Sequence, residues 1–216
     1  MDYQHQKFPS PKLIHPATVI VSGPTGCGKT LLTARLLVES KFEPMPERLI
    51  WVYSEMQPLY KQLEELVEIE FIKGFSPDLY ESLSPETTNL LVLDDQMSTI
   101  ADSKQLLDLF TKGSHHRNLT VIFLVQNMYF QGKSMRTATI NTQYQIIFKS
   151  PRALTQIKRM GYEYFENKNF FPAAFKDATS KPFSYVLLDV HPQSEEDGLV
   201  RAPIFDDERN YVYIEA

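Results

Sequence analysis

Eight residues near the amino terminus constrain this chain more than any others: Gly23-Pro24-Thr25-Gly26-Cys27-Gly28-Lys29-Thr30. They fit the pattern Gly, four residues, Gly-Lys-Thr without a mismatch. Ala17 to Ser22 before them read as a short buried strand, and Leu31 to Glu39 after them read as a helix. Only a strand–turn–helix unit gives the loop its chemistry. Its glycines turn backbone N–H groups toward an anion, and the helix N-terminus adds a favourable dipole. Lys29 then reaches the β- and γ-phosphates of a nucleotide, and the Thr30 hydroxyl ligates Mg²⁺.

A second apolar run, Asn89-Leu90-Leu91-Val92-Leu93, ends in Asp94-Asp95. Continuous Leu and Val mark a strand buried on both faces of a parallel sheet. Catalytic groups of such sheets sit at the carboxyl ends of strands. Asp94 is therefore expected to hold Mg²⁺, and Asp95 to act as general base on the attacking water. A third run, Leu119 to Val125, ends in the amides Gln126-Asn127. If this strand is inserted between the other two, one of those amides meets the γ-phosphate or its water. Arg117 precedes the strand and so falls at the opposite end of the sheet, out of reach of its own chain's phosphates but placed to act on those of a neighbouring subunit.

Between these runs the chain alternates. Strands are expected at 48–53, 143–148 and 185–190, with helices at 57–67, 103–112 and 152–164 and a turn-rich connection at 77–86. In the helix at 57–67, Leu59, Leu63 and Leu66 have helical spacing. Two short strands fall in 199–214, separated by Asp206-Asp207-Glu208-Arg209-Asn210. Alternating strands and helices imply an α/β fold, a mainly parallel sheet with helices on both faces. With 216 residues this is one domain, residues 17–216, whose core spans about 17–190 and which follows a polar, proline-interrupted extension at 1–16.

Composition excludes some classes. No run of 18 apolar residues occurs, so no membrane span is expected. The first 16 residues do not read as a secretory signal, and the single cysteine cannot form an internal disulfide; both point to an intracellular protein. Cys27 lies where a helix N-terminus lowers thiol pKa values, so it is expected either to be reactive or to be an inert filler of the loop. Net charge is −5, yet residues 131–181 carry nine Lys or Arg against three acids, leaving −11 elsewhere. The basic segment is either a solvated face or a local polyanion site. Lys133 and Arg136, in the stretch Met128–Thr137 beside Tyr129 and Phe130, are its candidate DNA contacts. His115 and His116 are expected as helix caps, since no further ligands stand at zinc-like spacing.

Taken in order, Gly-Pro-Thr-Gly-Cys-Gly-Lys-Thr, then Leu-Leu-Val-Leu-Asp-Asp-Gln-Met, then His-His-Arg-Asn-Leu-Thr-Val-Ile-Phe-Leu-Val-Gln-Asn resemble the FtsK–HerA superfamily. More narrowly, over residues 17–165 they resemble the viral genome-packaging ATPases of the poxvirus and Polinton/adintovirus kind. Tyr129 to Lys133, Arg136-Thr137, Asn141 and Phe148 to Arg152 extend the likeness. The resemblance implies a RecA-like, additional-strand core and a homo-oligomeric ring, pentameric or hexameric. It implies ATP-driven movement of double-stranded DNA into a preformed capsid, with capsid or portal components as partners. Lys29 and Thr30 would serve ATP and Mg²⁺, Asp94 the metal, Gln126 as polar sensor and Arg117 as an arginine finger in trans. Many superfamily members carry Asp-Glu where this chain has Asp94-Asp95, which weakens the assignment of the base more than that of the metal ligand. A nucleoside or nucleotide kinase is the competing expectation, although no arginine-rich lid is evident. A nucleotide-gated assembly scaffold is another.

Overall fold

A computed structural model describes residues 3–96, 104–113, 117–127 and 133–216. Its spine is a ten-stranded sheet with the order β1-β12-β11-β10-β9-β3-β8-β7-β5-β6. The strands with continuous apolar sequence form its middle. These are β3 (Thr18–Ser22), β5 (Arg48–Tyr53), β7 (Asn89–Asp94), β8 (Leu119–Val125) and β9 (Tyr144–Phe148). Every residue of β3, β7, β8 and β9 is buried. These strands run parallel to one another, and β6 (Glu70–Lys73) extends the parallel half beyond β5. Strands buried on both faces need helices on both faces. Side chains alternate accordingly. Val19, Val21, Ile122 and Leu124 point into one core with Leu32, Leu36 and Trp51, while Ile20, Val121 and Phe123 point into the other with Phe110, Phe170 and Phe171.

The first core is covered by α1 (Lys29–Val38) and α2 (Pro58–Glu64). On the opposite face lie α4 (Lys104–Asp108, continued by a π turn at Leu109–Gly113), α5 (Lys133–Ile140), α6 (Leu154–Tyr164) and α7 (Phe170–Ala178). A short α3 (Pro77–Glu81) precedes β7. The other half of the sheet is antiparallel: β10 (Tyr185–Asp189), β11 (Val200–Ala202), β12 (Tyr211–Glu215) and β1 (Tyr3–Lys7) continue outward from β9. The pair β2 (Leu13–Ile14) and β4 (Phe42–Glu43) forms a separate two-stranded sheet. None of the described helices is long and apolar enough to cross a membrane.

Several local expectations are corrected. Residues 77–81 form a helix rather than a turn-rich connection, because Ser76 accepts from the Leu79 N–H and Pro77 sits in the first turn. The helix at 57–67 stops at Glu64, so Leu66 lies outside it and is exposed; its buried face is Tyr60 and Leu63. The polar stretch at 1–16 contributes the edge strand β1, whose mostly exposed residues carry no apolar pattern to announce it. Lys133 and Arg136 lie on α5 rather than on a loop; Met128–Gly132, with Tyr129 and Phe130, fall outside the described residues. His115 and His116 also lie outside them.

Candidate nucleotide site

Three parallel strands end at one edge of the sheet and deliver three different groups there. β8 lies between β3 and β7, pairing Ser22 with Val125 on one side and Leu124 with Asp94 on the other. The insertion expected from the sequence is therefore present. The loop after β3 is tied to the end of β8 by the Gly23 N–H, which donates to the Val125 carbonyl at 3.2 Å. Gly26 has φ +77° and Gly28 φ +104°, left-handed values that side chains resist. Gly23 is required for a different reason: a Cβ there would stand 2.7 Å from the Phe148 Cβ. α1 starts at Lys29 with no side-chain cap and no acid in its first turn. Its first N–H groups thus face the loop without an internal acceptor, the arrangement that favours an anion.

Within one cleft of about 380 Å³ lie Thr25, Gly26, Gly28, Lys29, Thr30, Asp94, Asp95 and Gln126. The residues singled out on three separate stretches of sequence are thereby brought together. The Lys29 ammonium donates to the Gly23 carbonyl at 2.8 Å and the Pro24 carbonyl at 3.1 Å, which folds the lysine back over its own loop. Asp94 is buried. Its carboxylate accepts from the Tyr60 hydroxyl at 3.0 Å and from the Thr30 hydroxyl. Burial raises the Asp94 pKa above the usual carboxylate range, against the pull of those two bonds, while Asp95 nearby raises it further. Thr30 and Asp94 together offer hard oxygen donors at close quarters, a set that suits Mg²⁺. Among the described residues no group of three or more His, Cys, Asp or Glu side chains could hold a metal ion.

Asp95 is exposed and has φ +55°. Asp tolerates the left-handed region better than most residues, yet the conformation needs external support. Ser54 supplies it, donating from its hydroxyl to the Asp95 carbonyl at 2.7 Å. Gln96, almost fully buried, completes the brace: its amide donates to the Ser54 oxygen at 2.9 Å and its carbonyl accepts from the Phe75 N–H at 3.3 Å. The turn that aims Asp95 is thus fixed by the segments that follow β5 and β6.

The amide pair at the end of β8 borders two cavities, and Gln126 lines both. Gln126 lines the phosphate cleft. Asn127 faces a neighbouring cavity of about 350 Å³, where its carbonyl oxygen accepts from the Gln156 amide at 2.5 Å. Arg117, at the other edge of the sheet, donates to the Leu83 carbonyl at 3.0 Å and to the Glu81 carboxylate at 2.9 Å, and its guanidinium stands 5.0 Å from the Tyr80 ring centroid. Cys27 is half-buried, and burial raises its thiol pKa more than Lys29 and the helix N–H groups lower it. Of the two expectations for Cys27, the direction of this shift favours the inert filler over the reactive thiolate. Arg136 is exposed on α5.

Contributors beyond the Ser54 and Gln96 brace also escaped sequence reasoning. Tyr60 is held in a cage of Trp51, Tyr53 and Phe71, with ring centroids 5.0–5.5 Å away. Gln57 and Leu59 line the phosphate cleft. The signals were faint: Pro58 starting a helix after an extended Gln57, and aromatic residues in β5 with no partner yet known.

A P-loop between a buried strand and an uncapped helix, with β8 inserted between it and the strand ending in Asp94, defines the RecA-like P-loop NTPase fold. Known structures share it. B204, the DNA-packaging ATPase from Sulfolobus Turreted Icosahedral Virus, superposes with a TM-score of 0.57 at 14% identity, over 82% of this chain and 94% of that one. The genome packaging NTPase B204 from Sulfolobus turreted icosahedral virus 2 in complex with AMPPCP gives 0.56 at 17% identity, with the same coverage. Its complex with ATP-gammaS gives 0.55 at 16% identity, again over 82% and 94% of the two chains. No protein-family model matches the sequence, and no curated protein matches it.

Proposed function

We propose that this chain is an ATP hydrolase that drives double-stranded DNA into a preformed viral or virus-like capsid. The observation that carries the reading is the meeting of Lys29, Thr30, Asp94, Asp95 and Gln126 in one cleft at the carboxyl edge of β3, β7 and β8. The fold shared with B204, a DNA-packaging ATPase, supports the packaging role.

Lys29 leaves the Gly23 and Pro24 carbonyls and neutralises charge on the β- and γ-phosphates. The loop N–H groups hold the phosphate oxygens in place. Asp95 accepts the proton of the attacking water, and Gln126 orients that water toward the phosphorus. Bound Mg²⁺ would be held by Thr30 and Asp94 and would offset charge between the β- and γ-phosphates. A cleft with a base and a water-orienting amide suits hydrolysis better than transfer to a second substrate, which sets the kinase reading aside. The chains form a homo-oligomeric ring, pentameric or hexameric, at the site of virion assembly inside the host cell, in contact with capsid or portal components. In that ring Arg117 exchanges its bonds to Glu81 and Leu83 for the neighbour's γ-phosphate. Lys133 and Arg136, following the strand that ends in Gln126, contact DNA phosphates and couple nucleotide state to grip.

The test is ATP turnover with and without duplex DNA. Lys29→Ala should abolish turnover, and K133A/R136A should lower DNA stimulation and the salt slope of DNA binding while turnover without DNA persists. Near-normal hydrolysis in Lys29→Ala overturns the site. Turnover that ignores DNA but responds to an added nucleoside restores the kinase.

A further inference from the structure

Phe183 combines two features that a folded chain normally avoids. Its ring is 70% exposed, and its backbone has φ +61°, the left-handed region, where a bulky aromatic residue is an outlier. Nothing in the packing of the cores asks for either. Strain of this kind persists where surrounding structure holds it in place, and it concentrates at ligand sites. The ring stands directly beside the phosphate loop: a Cβ built on Gly28 would lie 3.9 Å from the Phe183 Cδ1.

Its direction from the loop matters. In the sheet, β8 and β7 lie on one side of β3, and β9 and β10 on the other. Asp94 and Gln126 therefore mark the side that receives the terminal phosphate. Phe183 lies on the opposite side, two residues before β10, whose first residue Tyr185 pairs with the last residue of β9, Phe148. Phe148 in turn packs under Gly23 and Gly28. A nucleoside triphosphate with its γ-phosphate at Gln126 thus points its other end past Gly28 toward the Phe183 ring. Phe183 also walls a cleft of about 650 Å³ with Lys181, Tyr185, Glu208 and Arg209.

We propose that Phe183 is the stacking platform for the nucleobase of the bound triphosphate. This deepens the ATP-hydrolase reading and rests on it. Stacking on an aromatic face accepts any base, so Phe183 raises affinity for nucleoside triphosphates over bare polyphosphate rather than selecting adenine.

Two variants of the full chain test this by binding. Phe183→Ala should weaken ATP binding by about 5- to 150-fold, the range expected for loss of one stacked base, and leave inorganic tripolyphosphate affinity unmoved. Phe183→Tyr should retain wild-type ATP affinity. Phe183→Trp supplies a direct signal, because the chain's one tryptophan, Trp51, is fully buried. Its fluorescence should be quenched by ATP and not by tripolyphosphate. ATP affinity unchanged in Phe183→Ala, or equal responses of Phe183→Trp to ATP and tripolyphosphate, overturns the stacking role. If Lys29→Ala still weakens binding of both ligands in that case, the phosphate loop stands and only the platform falls. If Lys29→Ala binds ATP as the parent does, or the parent binds neither ligand, the hydrolase reading falls and the platform with it.

Discussion

Removing one oxygen atom, in Tyr60→Phe, probes the candidate Mg²⁺ ligand without touching it. The Tyr60 ring is 1% exposed and lies among the Trp51, Tyr53 and Phe71 rings, so phenylalanine keeps the ring packing. What is lost is the 3.0 Å hydrogen bond to the buried Asp94 carboxylate. A hydrogen bond to a charged group contributes about 1.5–3 kcal/mol, and the buried carboxylate keeps the Thr30 hydroxyl as its other partner. For a chain of 216 residues that corresponds to a fall in Tm of roughly 3–12 °C. The pH dependence follows from burial, which holds the Asp94 pKa above its unfolded value. Ionising Asp94 therefore costs the fold stability as pH rises from the ordinary carboxylate range through that raised pKa. The Tyr60 bond offsets part of this cost, and it does so only while Asp94 is ionised. The penalty of Tyr60→Phe should accordingly be full at neutral pH. It should shrink toward the neutral-pair value of about 0.5–1.5 kcal/mol as pH falls through the Asp94 pKa. Function should move too, because a freed carboxylate is harder to ionise and less well aimed: the Mg²⁺ concentration for half-maximal ATP turnover should rise about 10–100-fold. Thermal melts of both proteins at several pH values, with a Mg²⁺ titration of turnover, make the measurement. A penalty that is the same at acidic and neutral pH, or no penalty at all, refutes the reasoning.

Gly23→Ala should lose ATP binding and about 1–3 kcal/mol of stability, since its Cβ would meet the Phe148 Cβ at 2.7 Å and neither strand end can retreat; calorimetry and denaturant unfolding check both. Cys27 should alkylate slowly at neutral pH, speed up only above the ordinary thiol range, and be shielded by ATP; rapid reaction at neutral pH would contradict the burial that raises its pKa. Arg117→Ala should still bind ATP but hydrolyse it poorly, and mixing it with Lys29→Ala should restore turnover; mixtures that never exceed the two parents, although mixed oligomers form, remove the trans role.

How much was legible depended on how far each signal lay from its partner in sequence. The phosphate loop, the Asp94 strand and the Gln126 strand each announce themselves locally, by apolar runs ending in polar groups. The order of strands that brings them together follows from where such groups must meet. Tyr60 gave no such sign, because its partner Asp94 stands 34 residues away and a tyrosine on a helix reads as core. Gln96 was equally silent, for its value lies in bridging Ser54 and Phe75, residues from separate strands and turns. The edge strand Tyr3–Lys7 pairs with Tyr211–Glu215 at the far end of the chain, and its exposed polar residues carry no period that marks a strand. Of the two expectations for Cys27, the raised thiol pKa favours the inert filler, because burial in the folded loop outweighs the local dipole.

The two ends of β8 show how one strand could tie catalysis to assembly. At its carboxyl end Gln126 faces the phosphate cleft. At its amino end the chain turns through Asn118, at φ +46°, and Arg117 grips the end of α3 by Glu81 and the following segment by Leu83. The Asn89 amide closes the same corner, donating to the Arg117 carbonyl at 3.1 Å from the first residue of the Asp94 strand. Seven residues at about 3.3 Å each set the two ends roughly 20 Å apart, too far for Arg117 to serve its own cleft. In the proposed ring, a neighbour's phosphate would have to outcompete the Glu81 carboxylate and the Leu83 carbonyl. The Glu81 pair is largely exposed and so individually weak, whereas a bidentate grip on a triphosphate is strong. In the proposed ring, the exchange would favour phosphate when the neighbour's cleft is loaded and the internal bonds when it is empty. Arg117 would thus report a neighbour's nucleotide to the start of the strand that carries Asp94.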